Sequence, residues 1–458
     1  MGTHYDLVII GSGSGNSLVI PELDDWRIAV VEQGVFGGTC LNVGCIPTKM
    51  FVYPADLSSY AREWDRLGLH GPAPEADWSA IRDRVFGRID PISAGGRAYR
   101  ASGTPNVTLY EAHAEFTAPK TLHLSTGETI TGEQVVLATG TRAVVPEEVT
   151  GSGVAFHTSD TVMRIDALPQ RLVILGGGYI AAEFAHVFCA LGVHTTVVAR
   201  SGLLRSQDEA ISARFTDIVR DRWHLRSGVT ASSVEGGPGE VRLNLDDGTT
   251  VAADLLLVAT GRVPNGDRLN LSAAGVDTHP DSRIVVDEFQ RTSAAGVWAL
   301  GDASSNYQLK HVANHEERVV AHNLAHPDAL RASDHRFVPA AVFTHPQIAS
   351  VGLTEQQALA AGVRYVSAIQ SYGSTAYGWA MEDATSVCKL LADPGSGQLL
   401  GAHLMGEQAA TLIQPLIQAM SFGLDVRAMA TGQYWIHPAL TEVVENALLS
   451  LDLDTVEP

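Results

Sequence analysis

The chain is poor in cysteine, in positive charge and in uninterrupted apolar stretches, and each shortage excludes something. Four cysteines in 458 residues are too few for the disulfide framework of a secreted domain. The N-terminus has no basic segment followed by an apolar one, so a reducing cytoplasm is the expected compartment. Thirty-one basic residues against fifty-one acidic ones leave a formal charge of -20. That balance argues against nucleic acid or an anionic membrane as partner and favours small molecules. Met1-Gly2 opens like a myristoylation signal, but Asp6 stands where Ser or Thr is required. The one apolar run long enough to span a bilayer, Leu172 to Val193, carries Glu183 and His186 and includes Gly176-Gly177-Gly178. Strand, turn and buried helix explain it better than a membrane span. With 45% hydrophobic residues, about three domains with substantial cores are expected.

Half of the cysteines, Cys40 and Cys45, lie in GGTCLNVGCIPTK, residues 37–49. Closing them would form a loop too tight to gain much chain entropy as a structural bridge, and a short, strained pair suits redox chemistry instead. Gly37 and Gly38 let backbone come close to a neighbour, Gly44 loosens the turn, and Pro47 suits the first turn of a following helix. A thiol at that helix start has a lowered pKa. Two buried thiols flanking a turn would look the same, so the pair alone does not decide.

The surrounding chain repeats one grammar twice. The run Tyr5 to Ile10 stops at Gly11-Ser12-Gly13-Ser14-Gly15-Asn16, and the next apolar strand, Ile28 to Val31, ends on Glu32. Gly11 and Gly13 allow a tight turn and close approach to a pyrophosphate, while Glu32 suits the hydroxyls of a ribose. Asn16 occupies the third glycine position, which weakens the expected helix packing, and Pro21 keeps that helix short. Helical spacing from about Met50 to Arg100, broken near Gly71-Pro72, is expected to cover the sheet. Short strands follow from Val107 to Leu124, and Val135 to Leu137 runs into Ala138-Thr139-Gly140. The grammar returns with Leu172 to Leu175, Gly176-Gly177-Gly178-Tyr179-Ile180-Ala181, the strand Thr195 to Val198, and Leu255 to Val258 leading into Ala259-Thr260-Gly261-Arg262. The second strand pair ends on Ala199-Arg200 with Arg205 nearby, and cations there suit a 2′-phosphate where an acid suits a free ribose. One FAD site and one NADPH site follow from that contrast.

Val297 to Leu300 leads into Gly301-Asp302, returning a carboxylate to the first site, so the first dinucleotide unit is expected to be discontinuous. A helix starts near Leu309, a boundary falls at Arg336 to Pro339, and the remainder is expected to alternate strands with two helices. The expected fold is α/β, with two Rossmann-like dinucleotide-binding domains and a C-terminal α+β dimerisation domain. The expected boundaries are 1–150 and 266–338 for the FAD unit, 151–265 for the NADPH unit and 339–458 for the interface unit. Within the last, Trp435-Ile436-His437-Pro438-Ala439-Leu440-Thr441-Glu442 precedes a helical pattern. Pro438 suits a first helical turn, and Glu442 could hold the His437 imidazole in one tautomer for acid/base work. Leu451 to Pro458 is expected to be a disordered acidic tail.

CLNVGC, the two dinucleotide folds, Gly301-Asp302 and HPALTE together resemble the pyridine nucleotide-disulfide oxidoreductases, the family of glutathione reductase and dihydrolipoamide dehydrogenase, over nearly the whole chain. GSGSGN, VFGRIDPI, HTSDTVMRI, AYGWAMED and GQYWIHPALTEVVENALL narrow the resemblance to a subgroup acting on a low-molecular-weight disulfide, in which Asn16 belongs to the pattern. The resemblance implies a homodimer with an active site shared between subunits, in which NADPH reduces FAD and FAD reduces a Cys40–Cys45 disulfide. Cys45 is the implied flavin-side thiol and Cys40 the thiol that attacks substrate. The partner's His437, oriented by Glu442, is the implied proton donor, and Lys49 pairs with Glu183 beside the flavin. FAD contacts are implied for Gly11, Gly13, Glu32, Gly38, Thr39, Thr139, Gly140 and Asp302. Nicotinamide-nucleotide contacts are implied for Gly176, Gly178, Tyr179, Ile180, Glu183, Arg200, Arg205, Gly261 and Arg262, with Tyr179 as a gate. Dihydrolipoamide dehydrogenase, which works with NAD, fits Ala199-Arg200 less well. A non-catalytic flavoprotein redox sensor leaves the thiols and His437 without a purpose. Cys189 and Cys388 stand alone. NADPH should exceed NADH in kcat/KM by at least about tenfold if Arg200 and Arg205 bind a 2′-phosphate; equal values would remove the basis for that assignment.

Overall fold

The computed structural model describes residues 2–237 and 239–454. Thr3–Ile10 is a strand whose Leu7, Val8 and Ile9 are fully buried, as a parallel strand covered on both faces requires. It pairs in parallel with Ile28–Val31 on one side and Thr129–Leu137 on the other. Val107–Tyr110 extends the sheet beyond Ile28–Val31, and Val297–Ala299 returns from far down the chain to pair with Thr129–Leu137. Strand order therefore reverses between Thr3–Ile10 and Thr129–Leu137, and the crevice at such a reversal is where open α/β sheets take their ligands.

A second parallel sheet has the order Arg226–Ser227, His194–Ala199, Arg171–Leu175, Leu255–Val258. The repeat read in sequence is a repeat in space. Gly11 and Gly176 have φ of +107° and +139°, and a Cβ on them would lie 2.3 Å from the Ala138 carbonyl oxygen and 2.2 Å from that of Ala259. In each sheet the first glycine of the turn thus presses on the alanine that opens the Ala-Thr-Gly turn. The strands just after those turns, Thr141–Ala143 and Arg262–Pro264, pair antiparallel and join the two units.

Two local expectations change. The segment after Gly11 is a 3-10 turn, Ser14–Leu18, followed by another at Pro21–Leu23. In that tighter winding the close-packing glycine moves one place back, to Gly15, whose Cβ would meet Ala138 Cβ at 2.8 Å and Ile9 Cγ2 at 2.9 Å. Asn16 instead accepts hydrogen bonds from Arg100, 2.7 Å to Oδ1 and 3.1 Å to its carbonyl. The helices Cys45–Arg62 and Trp78–Ala98 form where helical spacing places them, but their apolar faces do not simply cover the first sheet. Phe51, Trp78 and Phe86 pack with Phe184 and Phe188 of the Tyr179–Ala190 helix, so these helices bridge the two dinucleotide units.

The C-terminal unit is a five-stranded antiparallel sheet, ordered Ala340–Val342, Gln347–Gly352, Leu399–Gly406, Val387–Ala392, Val366–Ser371. It carries six helices among the described residues rather than two, each of nine residues or fewer, too short to show a clear period. The start of the expected tail is ordered: Leu451 is buried against the core of this unit and Asp454 pairs with Arg364 at 2.9 Å. Residues 455–458 lie outside the described residues. No helix among the described residues is long and apolar enough to cross a membrane. Gly11→Ala should destabilise the fold by at least ~2 kcal/mol, because strain at positive φ and a backbone clash add; a chemical-denaturation midpoint equal to that of the parent protein would contradict this.

Candidate functional site

A cavity of about 1050 Å³ runs from the first glycine turn to the dithiol segment. Gly11, Gly13 and Glu32 stand at one end, and Gly38, Thr39, Cys40, Cys45 and Lys49 form a wall further on. Thr139, Gly140, Tyr179, Ile180, Glu183, Arg262 and Asp302 also line it. Gly38, at φ +71°, lies so close to Gly13 that a Cβ would meet Gly13 Cα at 2.6 Å. The redox segment and the glycine turn are therefore in direct backbone contact.

The two cysteines do not flank a simple turn. Cys40 lies in a short helix, Gly38–Asn42, and Cys45 opens the helix Cys45–Arg62 with Pro47 in its first turn. Both are free thiols, and they are hydrogen-bonded to each other. The bond from Cys40 lowers the Cys45 thiol to about 7, helped by the Lys49 charge and opposed by burial. The same bond, with burial, pushes the Cys40 thiol up. One sulfur is thus poised as a thiolate near neutrality, and the other holds its proton.

Lys49, one turn along the same helix, places Nζ 2.7 and 2.6 Å from the two Glu183 oxygens. Glu183 sits on the Tyr179–Ala190 helix and is 4% exposed. Its Oε1 also accepts the Phe343 N–H at 3.0 Å, and the Phe343 ring lies 4.6 Å from Lys49 Nζ. Asp302 follows the Val297–Ala299 strand and accepts a hydrogen bond from Thr141 Oγ1 at 3.1 Å. Burial raises its pKa despite that bond.

Glu32 is engaged on both oxygens: Oε2 accepts from Ser12 N and Oγ at 2.9 and 2.7 Å, and Oε1 from Gly34 N at 2.8 Å. Ser12 Oγ also accepts the Gly37 N–H at 2.8 Å, so one buried serine ties the first turn, the strand-end acid and the dithiol segment together. Sequence reading passed over Ser12 because it fills a variable position of the glycine motif. It also passed over Lys310, which opens the helix Lys310–Ala325, lines the cavity and bonds Ser14 Oγ at 2.7 Å. Thr139 Oγ1 is buried in the cavity wall without a hydrogen-bond partner. An orphaned donor, glycine turns and carboxylates after two of the strands, Glu32 and Asp302, fit a dinucleotide with ribose and polyol hydroxyls.

Other expected residues lie apart from this cavity. Gly176, Gly178 and Gly261 belong to the second pair of turns. Arg200 and Arg205 are exposed on the loop after His194–Ala199, a loop held to the second glycine turn by Leu204 N donating to the Gly177 carbonyl at 2.8 Å. Neither arginine pairs with a carboxylate among the described residues. His437 and Glu442 lie in the C-terminal unit, with Nδ1 2.7 Å from Oε1. Pro438 does not open a helix: residues 437–440 form a turn and the helix begins at Thr441. That turn lets Glu442 reach back to the imidazole, whose side chain is 72% exposed.

Comparisons with known proteins agree with this architecture. Residues 5–316 match the pyridine nucleotide-disulphide oxidoreductase family and residues 338–448 its dimerisation domain. Mycothione reductase of Mycobacterium tuberculosis is 56% identical, over 98% of this chain and 99% of that one. Glutathione reductase of Burkholderia cepacia is 32% identical, covering 96% and 97%. Among solved structures, the HOCl-induced flavoprotein disulfide reductase RclA from Escherichia coli superposes with a TM-score of 0.86 at 27% identity, covering 97% of this chain and all of that one. LpdA from Mycobacterium tuberculosis, at 24% identity, shares the fold with a TM-score of 0.84 over 98% of this chain and 99% of that one. The chain belongs to the pyridine nucleotide-disulphide oxidoreductase family and is an FAD-dependent disulfide oxidoreductase that draws on a nicotinamide nucleotide.

Proposed function

We propose that this enzyme reduces mycothione to mycothiol at the expense of NADPH, through Cys40 and Cys45. The observation that carries this reading is the hydrogen-bonded dithiol in the wall of the dinucleotide cavity, with Cys45 lowered to about 7 beside Lys49. The identity of the disulfide rests on the likeness to mycothione reductase. FAD, when bound, relays two electrons from the nicotinamide nucleotide to the Cys40–Cys45 disulfide. Gly11, Gly13, Glu32, Gly38, Thr39, Thr139, Gly140 and Asp302 hold it in this reading. Gly176, Gly178, Tyr179, Ile180, Gly261 and Arg262 receive the second nucleotide, and Arg200 and Arg205 its 2′-phosphate. Residues 1–150 with 266–338 form the FAD unit, 151–265 the NADPH unit and 339–458 the dimer unit.

In the dithiol state Cys40 attacks one sulfur of the substrate disulfide, forming a mixed disulfide and displacing the first thiol. The partner subunit's His437 takes the Cys40 proton and gives it to the departing sulfur, with Glu442 fixing the tautomer. Cys45 then attacks Cys40, restoring the intramolecular disulfide and releasing the second thiol, which takes its proton from solvent. Lys49 would supply positive charge to a bound flavin, which would favour its reduced, anionic form. Tyr434, Ile436, Phe422 and Trp379 are exposed on the C-terminal unit, apolar side chains of the kind that a second copy covers, and that copy would bring His437 to the dithiol of its neighbour. A reducing cytoplasm keeps the isolated Cys189 and Cys388 as thiols.

Side-by-side turnover should be far higher with mycothione than with glutathione disulfide or lipoamide; preference for either of the others would overturn the substrate assignment. His437→Ala should leave flavin reduction by NADPH intact and slow disulfide turnover by about 10²–10⁴-fold, and unchanged turnover would remove its role as proton donor. In the two-electron-reduced enzyme, the long-wavelength flavin band reporting the Cys45 thiolate should titrate near pH 7 and fade below it. Lys49→Met should move that midpoint upward by roughly one to three pH units while Lys49→Arg holds it; a midpoint unmoved by either would show that Lys49 does not act on Cys45.

A further inference from the structure

Outside the cavity, the strongest charged cluster lies where the nucleotide-binding unit meets the C-terminal sheet. Lys389 occupies a fully buried strand, Val387–Ala392, and is 2% exposed. Its Nζ lies 2.7 Å from Asp208 Oδ1 and 2.6 Å from Glu355 Oε2. Burial opposes the charge on Lys389, but the hydrogen bonds to Asp208 and Glu355 outweigh it and raise its pKa. Asp208 is itself completely buried and caps the helix Glu209–Val219 by accepting from Ala210 N at 3.0 Å. Its second oxygen accepts the Glu355 N–H at 3.0 Å, and Gln356 Nε2 donates to the Gln207 carbonyl at 2.9 Å. The end of one loop is therefore interlocked with the helix start Glu355–Ala360 on the far side of the interface.

That loop is the one carrying Arg200 and Arg205. Between the two arginines, Leu204 sits at φ +50°, a region that a branched side chain seldom adopts and that persists only when its surroundings fix it. Leu203 and Leu204 are buried, while both arginines project outward. The loop is thus pinned at Leu204, between its two cations, and again at Gln207 and Asp208, just beyond Arg205. A buried ion cluster is a poor source of stability but a good means of imposing one geometry.

We propose that Lys389, with Asp208 and Glu355, is a positioning residue for coenzyme selection: it clamps the Arg200–Gln207 loop so that its two arginines converge on the 2′-phosphate of the nicotinamide nucleotide. The inference rests on the assignment of Arg200 and Arg205 given above. It makes the C-terminal unit part of the coenzyme specificity of the neighbouring domain in the same chain.

The holoenzyme, Lys389→Met, Glu355→Gln and Arg200→Ala/Arg205→Ala are compared for the dissociation constant of 2′,5′-ADP by calorimetry and for steady-state constants with NADPH and NADH. FAD content and thermal unfolding establish that each variant is folded. Lys389→Met should weaken 2′,5′-ADP by about tenfold and raise the KM for NADPH alike, leaving kcat and the KM for NADH unchanged. Glu355→Gln, at a half-exposed position, should shift the same constants in the same direction by a smaller factor, and it decides the matter if Lys389→Met does not fold. If the double arginine variant keeps full affinity for 2′,5′-ADP, the phosphate assignment is wrong and the clamp has nothing to position. If the double variant loses affinity while the folded clamp variants retain it, or lose NADH and NADPH equally, the arginines stand and the clamp is overturned.

Discussion

The ion pair of Lys49 and Glu183 is the contact on which the arrangement of the whole molecule depends. Lys49 comes from the helix that begins at Cys45, Glu183 from the helix that follows the second glycine turn, and the third partner, the Phe343 N–H, from the start of the C-terminal unit. Three parts of the chain meet at one nearly buried carboxylate. A charge in that position is tolerated only while all its partners stay in place, so the pair converts docking of the units into a condition on the dithiol. Stacking of Phe51 on Trp78, and packing of Trp78 against Phe188, support the same seam from the apolar side.

From that seam the chemistry is graded across two successive helices, Gly38–Asn42 and Cys45–Arg62. Cys45 takes its low pKa from a hydrogen bond given by Cys40 and from the cation one turn away, whereas Cys40 gains no comparable help and is held protonated. Two identical side chains thus acquire different characters from position alone. Asp302, raised by burial, and Lys310, bonded to Ser14, border the same space with opposite charge. Both cations, Lys49 and Lys310, line the cavity of an otherwise acidic protein.

Much of this was legible in the amino-acid order because the strands that carry it are parallel and buried on both faces, which makes them continuous apolar runs ending abruptly at glycine. The duplicated turns, the acid at one strand end and the arginine at the other could be read directly. So could the helices from Met50 to Arg100, though not their attachment to the second unit, since an apolar face does not name its partner. Gly15 replacing the expected third glycine was hidden because motif spacing assumes an α-helix, and the chain winds there as 3-10. The short helices of the C-terminal unit carry too few residues to show a period. Lys389, Asp208 and Glu355 are remote from one another in sequence and look like three ordinary surface charges until folding buries two of them and lines the third against them.

Ser12 gives one more lesson. Its hydroxyl reaches the strand-end acid on one side and the Gly37 N–H on the other, so the slot between the glycine turn and the dithiol helix is braced by the chain's own hydrogen bonds. On the proposed assignment of Glu32 to a ribose, the ligand would not have to organise disordered loops; it would exchange partners with a serine and a backbone amide already in register. Assembly of the holoenzyme is then closer to sliding a key into a cut lock than to wrapping a chain around its ligand, with the ordering entropy spent during folding rather than at cofactor capture.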